Sequence, residues 1–251
     1  MVRGSREFSL YELKTHEILD LLRKSRMTDF FFFLMEQKIL SNIEWRVSEK
    51  LIPFEDALAA MQERVEQIIA GTAPQLIWIL EHPPVYTAGV SARDEDLLEL
   101  NDVPVFKTNR GGKYTYHCPG MKIIYVMLDL KKFFEPEKPD VALFVKFLEN
   151  WVIEILAEFG ITGEIKKDRV GVWVETKTGE KKIAALGIKL KKWVSYHGIA
   201  INVNPDLTGF NNIIPCGIKD FGVTSITEIL GEVDDEKIVK LIEKKFHSLR
   251  P

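Results

Sequence analysis

Residues 170–203 read VGVWVETKTGEKKIAALGIKLKKWVSYHGIAINV, and this run decides the fold. Its segments 170–175, 182–190 and 193–203 have the length and the β-branched, aromatic and apolar content of strands, and Thr178-Gly179 supplies a tight turn between the first two. An antiparallel meander follows. Upstream, 140–159 has helical spacing, with Asp140 placed to cap the first turn and Gly160 to stop the last. Residues 103–108 and 122–130 read as strands joined by a Gly-rich connection over 110–121, and 76–80 as a buried strand. Residues 53–71 read as a helix: Pro53 suits its first turn, Glu55 and Asp56 its dipole, and Phe54, Ala57, Leu58, Met61, Val65, Ile68 and Ile69 its buried stripe. Ile43, Trp45 and Val47 alternate with polar residues in strand period, and 234–247 forms a closing helix. Helices interleaved with a mostly antiparallel sheet describe a mixed α/β (α+β) single domain with flanking helices.

The composition of the 251 residues narrows the function classes. With 46% hydrophobic and 28% charged residues the chain is an ordinary globular one, neither fibrous nor mostly disordered. Thirty-four basic residues against 37 acidic ones leave a net charge of −3, which gives no general attraction to nucleic acid or to an anionic membrane. Two cysteines, Cys118 and Cys216, exclude a disulfide framework and a paired-cysteine zinc site and point to a reducing compartment. The apolar run 30–35 is far shorter than the ~20 residues of a membrane span. Acids among the first basic residues do not suit a transit peptide, so the expected location is cytoplasmic. Residues 1–40 stand apart as an extension, either non-native or dispensable or carrying a short helix over 10–24, and 41–251 form the main domain. No uncovered apolar stripe or heptad is evident, so a monomer is expected.

Several residues bear chemistry. Cys216 sits in Asn212-Ile213-Ile214-Pro215-Cys216-Gly217, a turn able to present a thiol, although most free cysteines are simply small buried hydrophobes. Lys182 shares strand parity with Ala184, Leu186 and Ile188 and so faces an apolar side, either lifted out at the strand end or held near an anion, whereas Lys181 faces solvent. His197 shares parity with Trp193, Ile199 and Ile201 and points inward, as a core residue or as a catalytic one. Arg110-Gly111-Gly112-Lys113-Tyr114-Thr115-Tyr116-His117 is the densest polar cluster; its N–H groups suit a phosphate or a carbonyl, and Arg110 and Lys113 could meet a phosphopantetheine phosphate. His82 precedes the stiff Pro83-Pro84 and reads as a structural cap. The five histidines show no short ligand spacing, so no metal is expected.

Taken together, Glu81-His82-Pro83-Pro84-Val85-Tyr86-Thr87, the run from Arg110 to His117, Lys182 through Gly187, His197-Gly198, Asn202-Val203-Asn204 and Pro215-Cys216-Gly217 resemble the octanoyltransferase family, over about 43–230. That family moves an octanoyl group from acyl carrier protein onto a lysine of lipoyl domains. The resemblance implies the fold of biotin and lipoate protein ligases, Cys216 as acyl-thioester nucleophile and Lys182 as its partner. It also implies an acyl and pantetheine pocket formed by Arg110 to His117, by Ala185, Leu186 and Gly187, and by Gly198, Ile199 and Ala200, with His82 and His197 as supporting residues. The implied partners are octanoyl-acyl carrier protein as donor and, as acceptors, the lipoyl domains of 2-oxoacid dehydrogenase complexes and the glycine cleavage H protein; no cofactor is needed. The family usually reads His-Gly-Pro-Gly-Gln where this chain has His117-Cys118-Pro119-Gly120-Met121, so whatever polar contact that glutamine makes is in question, and a second thiol is set near the implied site, one that could pair with Cys216 on oxidation. The alternatives are an ATP-dependent lipoate ligase of the same fold and a silent module that binds acyl carrier or lipoyl domains.

Overall fold

Turn chemistry places the first helix. The computed structural model describes residues 43–99, 102–214 and 221–249. In it, strand β1 (Ile43–Val47) leads to helix α1 (Phe54–Ala70), which starts directly after Pro53 with Glu55 and Asp56 in its first turn. The helix ends at Gly71, whose φ of 72° is open to glycine without a Cβ clash. Its buried residues Ala57, Met61, Val65 and Ile68 pack in one core with strand β2 (Gln75–Leu80) and strand β6 (Met121–Met127).

Beyond β6 come the short helix α2 (Leu130–Phe133) and helix α3 (Val141–Ala157). The Asp140 carboxylate caps α3 by accepting from the N–H groups of Ala142 and Leu143 at 2.7 and 3.0 Å. Strands β7 (Gly163–Lys166), β8 (Arg169–Thr176), β9 (Gly179–Lys191) and β10 (Val194–Asn202) then form the meander. The large sheet runs β1-β2-β6-β10-β9-β8-β7, antiparallel apart from the β1–β2 pair, and a short strand β11 (Gly222–Val223) adds in parallel to β9. Helices α4 (Ile226–Leu230) and α5 (Asp235–Ser248) follow. Helix α5 packs on α3, where Trp151 donates its indole N–H to the Ile242 carbonyl at 2.8 Å. Strands β2, β6 and β10 are buried at every residue, which is why they read as apolar runs and not as alternating ones.

A second, three-stranded sheet was not legible in the sequence. Strand β3 (Val85–Ala88) lies between β4 (Val105–Lys107) and β5 (Tyr114–His117). Strand β4 was legible, but β5 falls inside what read as a single Gly-rich connection, and β3 is a four-residue strand hidden behind Pro83-Pro84. Two further differences concern the meander. Trp193 belongs to the turn, with Lys192 and Trp193 at φ 49° and 72°, so β10 starts one residue later. His197 is buried, but not by parity: the whole strand is buried, and its own φ of 58° departs from strand geometry. Residues 1–40, set apart by the sequence, lie outside the described residues.

Candidate active site

Between the small sheet and strands β6, β9 and β10 lies a cavity of about 540 Å³, its open mouth included. Arg110, Gly112, Lys113, Tyr114, Thr115 and His117 form one wall, Ala185, Leu186 and Gly187 of β9 a second, and His197, Gly198, Ile199 and Ala200 of β10 a third. Phe54, Thr87, Ile123 and Tyr125 complete it, and sequence reasoning missed all four. Of the expected pocket residues, Gly111 and Tyr116 do not line it. The Tyr116 ring turns to the far side of β5, against Tyr86 and Phe210. His82 lies behind the wall.

The polar loop is pinned to the protein by its own arginine. Arg110 donates from Nε and Nη2 to the Thr87 hydroxyl at 3.1 and 2.8 Å, from Nη2 to the carbonyls of Thr87 and Lys113 at 2.6 and 2.8 Å, and from Nη1 to the Gly111 carbonyl at 2.9 Å. This forked grip fixes the turn shape, which a lysine could not do. The Gly111 N–H donates to the Ile188 carbonyl at 3.0 Å, so the loop is also tied to β9. Gly187 allows that approach, because a Cβ there would lie 2.9 Å from the Gly111 carbonyl oxygen. Lys113 reaches the Asp96 carboxylate at 3.3 Å. Arg110 and Lys113 are thus both engaged by protein groups.

Three histidines meet behind and along the wall. His82 Nδ1 lies 2.6 Å from the Ile52 carbonyl, which can only accept, so Nδ1 carries the proton and Nε2 accepts from the Tyr125 hydroxyl at 2.6 Å. His197 Nε2 donates to Asn109 Oδ1 at 3.2 Å, while Asn109 Nδ2 donates to the Tyr196 hydroxyl. His117 is buried, and among the described residues its Nδ1 has no partner. Burial holds all three rings neutral, lowering His82 and His197 to about 4 and His117 well below its ordinary value, with repulsion from neighbouring cations adding to the effect at His117 and His197. Burial likewise pushes the Tyr125 hydroxyl up, so it stays protonated.

Lys182 lies three residues before Ala185 on β9, outside the cavity wall. It is 6% exposed despite its charge. Its Nζ donates to the Val170 carbonyl at 2.9 Å and sits 4.8 Å from the centre of the Trp173 ring. The pairing register of β8 and β9 shifts between Val172 and Trp173, so strict alternation fails at this point and parity alone could not orient the residue. Cys216 lies outside the described residues, but the chain on either side of it is fixed. The Ile214 N–H donates to the Asp96 carbonyl at 2.8 Å, and Val223 pairs with Lys182. Cys118 is buried with its thiol pushed up to about 11, chiefly by burial, which makes thiolate chemistry there unfavourable. Met121, standing where the family has glutamine, is fully buried in the apolar core. No group of three or more His, Cys, Asp or Glu among the described residues is arranged to hold a metal ion.

A family model described as the lipoyl protein ligase A/B catalytic domain matches residues 53–247. An octanoyltransferase of Parvibaculum lavamentivorans is 51% identical over 199 residues, which cover 78% of this chain and 87% of that one. One of Wolbachia sp. subsp. Brugia malayi is 47% identical over 207 residues, covering 82% and 99%. Among solved structures, the bipartite lipoate protein ligase of Thermoplasma acidophilum matches with a TM-score of 0.61 at 16% identity, covering 82% of this chain and 83% of that one. A lipoate-protein ligase A bound with ATP matches with a TM-score of 0.60 at 17% identity, covering 82% and 85%. At these identities the likeness to the ligases is one of fold.

Proposed function

We infer that this chain, which belongs to the octanoyltransferase family and carries its lipoyl protein ligase A/B catalytic domain, transfers the acyl group through a thioester on Cys216 with Lys182 as partner. It is an acyltransferase of protein lipoylation. We take octanoyl-acyl carrier protein as the donor, the lipoyl domains of 2-oxoacid dehydrogenase complexes and the glycine cleavage H protein as acceptors, and the cytoplasm as the place of action. No helix among the described residues is long and apolar enough to cross a membrane.

The reaction exchanges one thioester for another and then forms an amide, so it needs no ATP. In the first step the Cys216 thiolate attacks the carbonyl carbon of the donor thioester. The bond to the pantetheine sulfur breaks, and that sulfur leaves and takes up a proton. In the second, the neutral amine of the acceptor lysine attacks the acyl carbon, the carbon–sulfur bond to Cys216 breaks, and the amine's extra proton passes to a base. The Lys182 ammonium stabilises the thiolate before the first step and as it leaves in the second. The cavity, with Ile123, Leu186 and Ile199 on its walls, takes the acyl chain. His117 Nδ1, which has no partner among the described residues, is our choice for a contact to the developing oxyanion.

The observation that carries this reading is where the chain stands before and after Cys216. Before it, Ile214 is tied to Asp96, whose carboxylate meets Lys113 on the cavity wall; after it, Val223 is paired to Lys182 itself. Intact-protein mass spectrometry after brief mixing with octanoyl-acyl carrier protein, without ATP, tests it. The wild type should gain one octanoyl group, labile to hydroxylamine, and Cys216→Ser should gain none. No adduct on either protein would overturn the thioester, and addition of octanoate with ATP would then separate a ligase from a silent binder.

A further inference from the structure

Helix α3 buries a carboxylate that the transfer reaction, as written above, does not use. Glu149 is 4% exposed, flanked along the helix by the buried Leu148, Trp151 and Val152. A carboxylate in such surroundings is costly unless a hydrogen bond and a counter-charge meet it. Here Oε1 accepts from the Gly171 N–H at 2.9 Å. That N–H belongs to the same peptide group as the Val170 carbonyl, and the carbonyl accepts from Lys182 Nζ at 2.9 Å. One peptide unit therefore joins the two side chains, with its N–H end on the acid and its C=O end on the ammonium.

The peptide is held in a geometry made for this. Gly171 has φ 124°, which strains any other residue, and a Cβ there would lie 3.3 Å from Lys182 Nζ and 2.7 Å from the Ala184 carbonyl oxygen. Anion, peptide dipole and cation are aligned so that each polarises the next. Burial pushes the Glu149 carboxyl up, and the Gly171 N–H and the Lys182 charge offset only part of that rise. Among the described residues, the Arg169 guanidinium of β8 lies over the same Trp173 ring at 4.5 Å, and Glu180 of β9 pairs with Arg169 and Lys166.

We propose that Glu149 is a positioning residue of the transferase: through the 170–171 peptide it fixes the Lys182 ammonium in place and supplies its buried counter-charge. This rests on the reading of Lys182 as the partner of Cys216. Glu149→Gln tests it, because the amide keeps an oxygen for the Gly171 N–H and loses only the charge. Single-turnover transfer from the octanoyl-enzyme to a lipoyl domain should fall about ten-fold in its maximal rate, with the lipoyl-domain concentration that gives half that rate unchanged. In a Lys182→Met background the same substitution should change transfer less than two-fold, because coupled residues are not additive.

Equal losses in both backgrounds, or a raised half-maximal lipoyl-domain concentration with the maximal rate unchanged, would overturn the proposal and make Glu149 a packing residue. Should Glu149→Gln alone fail to fold, melting temperatures decide. Lys182→Met leaves an uncompensated buried acid and should lower the melting temperature, and adding Glu149→Gln should restore part of the loss; additive losses would count against the pairing. If Lys182→Met transfers at the wild-type rate, the assignment of Lys182 is what fails, and the proposal falls with it by a distinguishable result.

Discussion

At the residue scale, the value of a lysine beside a thiol depends on which step is slow. A thiol of pKa ~8.5 is only ~3% thiolate at pH 7, and lowering the pKa by about two units raises that roughly 25-fold. Nucleophilicity falls roughly 6- to 10-fold over the same shift, so attack gains only a few-fold. A stabilised thiolate leaves faster, however, so Lys182→Ala should slow transfer to the lipoyl domain more than it slows formation of the octanoyl-enzyme. Single-turnover rates of the two steps check this, and equal losses would sink it. The sequence singles out Lys182 and states both of its possible settings, but the choice between them depends on Trp173, the Val170 carbonyl and Glu149, which lie on other elements. Glu149 itself gave no signal, since one acid in an apolar helix reads as a solvent-facing position. Arg110 was legible as polar and near the site, yet its hydrogen bonds go to Thr87 and the loop carbonyls, and β3, which supplies Thr87, was not foreseen.

At the scale of elements, the cavity is shaped by backbone contacts that side chains would prevent. Gly198 of β10 pairs with Tyr125 of β6 and with Gly187 of β9, and a Cβ at Gly198 would lie 2.0 Å from the Ile124 carbonyl oxygen. No rotamer change relieves a clash with backbone, so Gly198→Ala must push β6 and β10 apart. The cost should be at least ~2 kcal/mol, which for a domain of this size lowers the melting temperature by roughly 5 °C. A thermal melt checks it, and an unchanged midpoint would mean that the strands yield freely. Elements announced by punctuation were legible: α1 between Pro53 and Gly71, α3 from the Asp140 cap, the β8–β9 turn at Gly179. The four-residue strands β3 and β5 were not, because two alternations are too few to establish a period and both are largely buried.

For the whole molecule, the three histidines act as one acid-sensitive joint. His82 follows β2, His117 ends β5 and His197 lies in β10, so the cluster joins both sheets, with His82–His117 ring centroids 5.8 Å apart and Tyr125 between His82 and His197. In the unfolded chain a histidine takes its proton near pH 6.5, whereas His82 and His197 in the fold wait until about 4, and His117 is lowered as well. Between those limits the unfolded state binds more protons, so stability rises with pH; it is fully present above about 6.5 and drains away as pH falls toward 4, at ~1.4 kcal/mol per unit for each histidine. The carboxylates held low, Glu44 and Asp206 among them, lose their contribution only below about 4, in a separate window. With three histidines coupled, the melting temperature should therefore drop by about 10 °C between pH 6 and pH 5. His197→Asn should flatten that slope by about a third, because asparagine takes up no proton in either state. Melts across pH 7.5 to 4.5 check both, and a midpoint level down to pH 5 would mean that the rings are protonated in the fold and that the neutral network around Tyr125 does not hold the two sheets together.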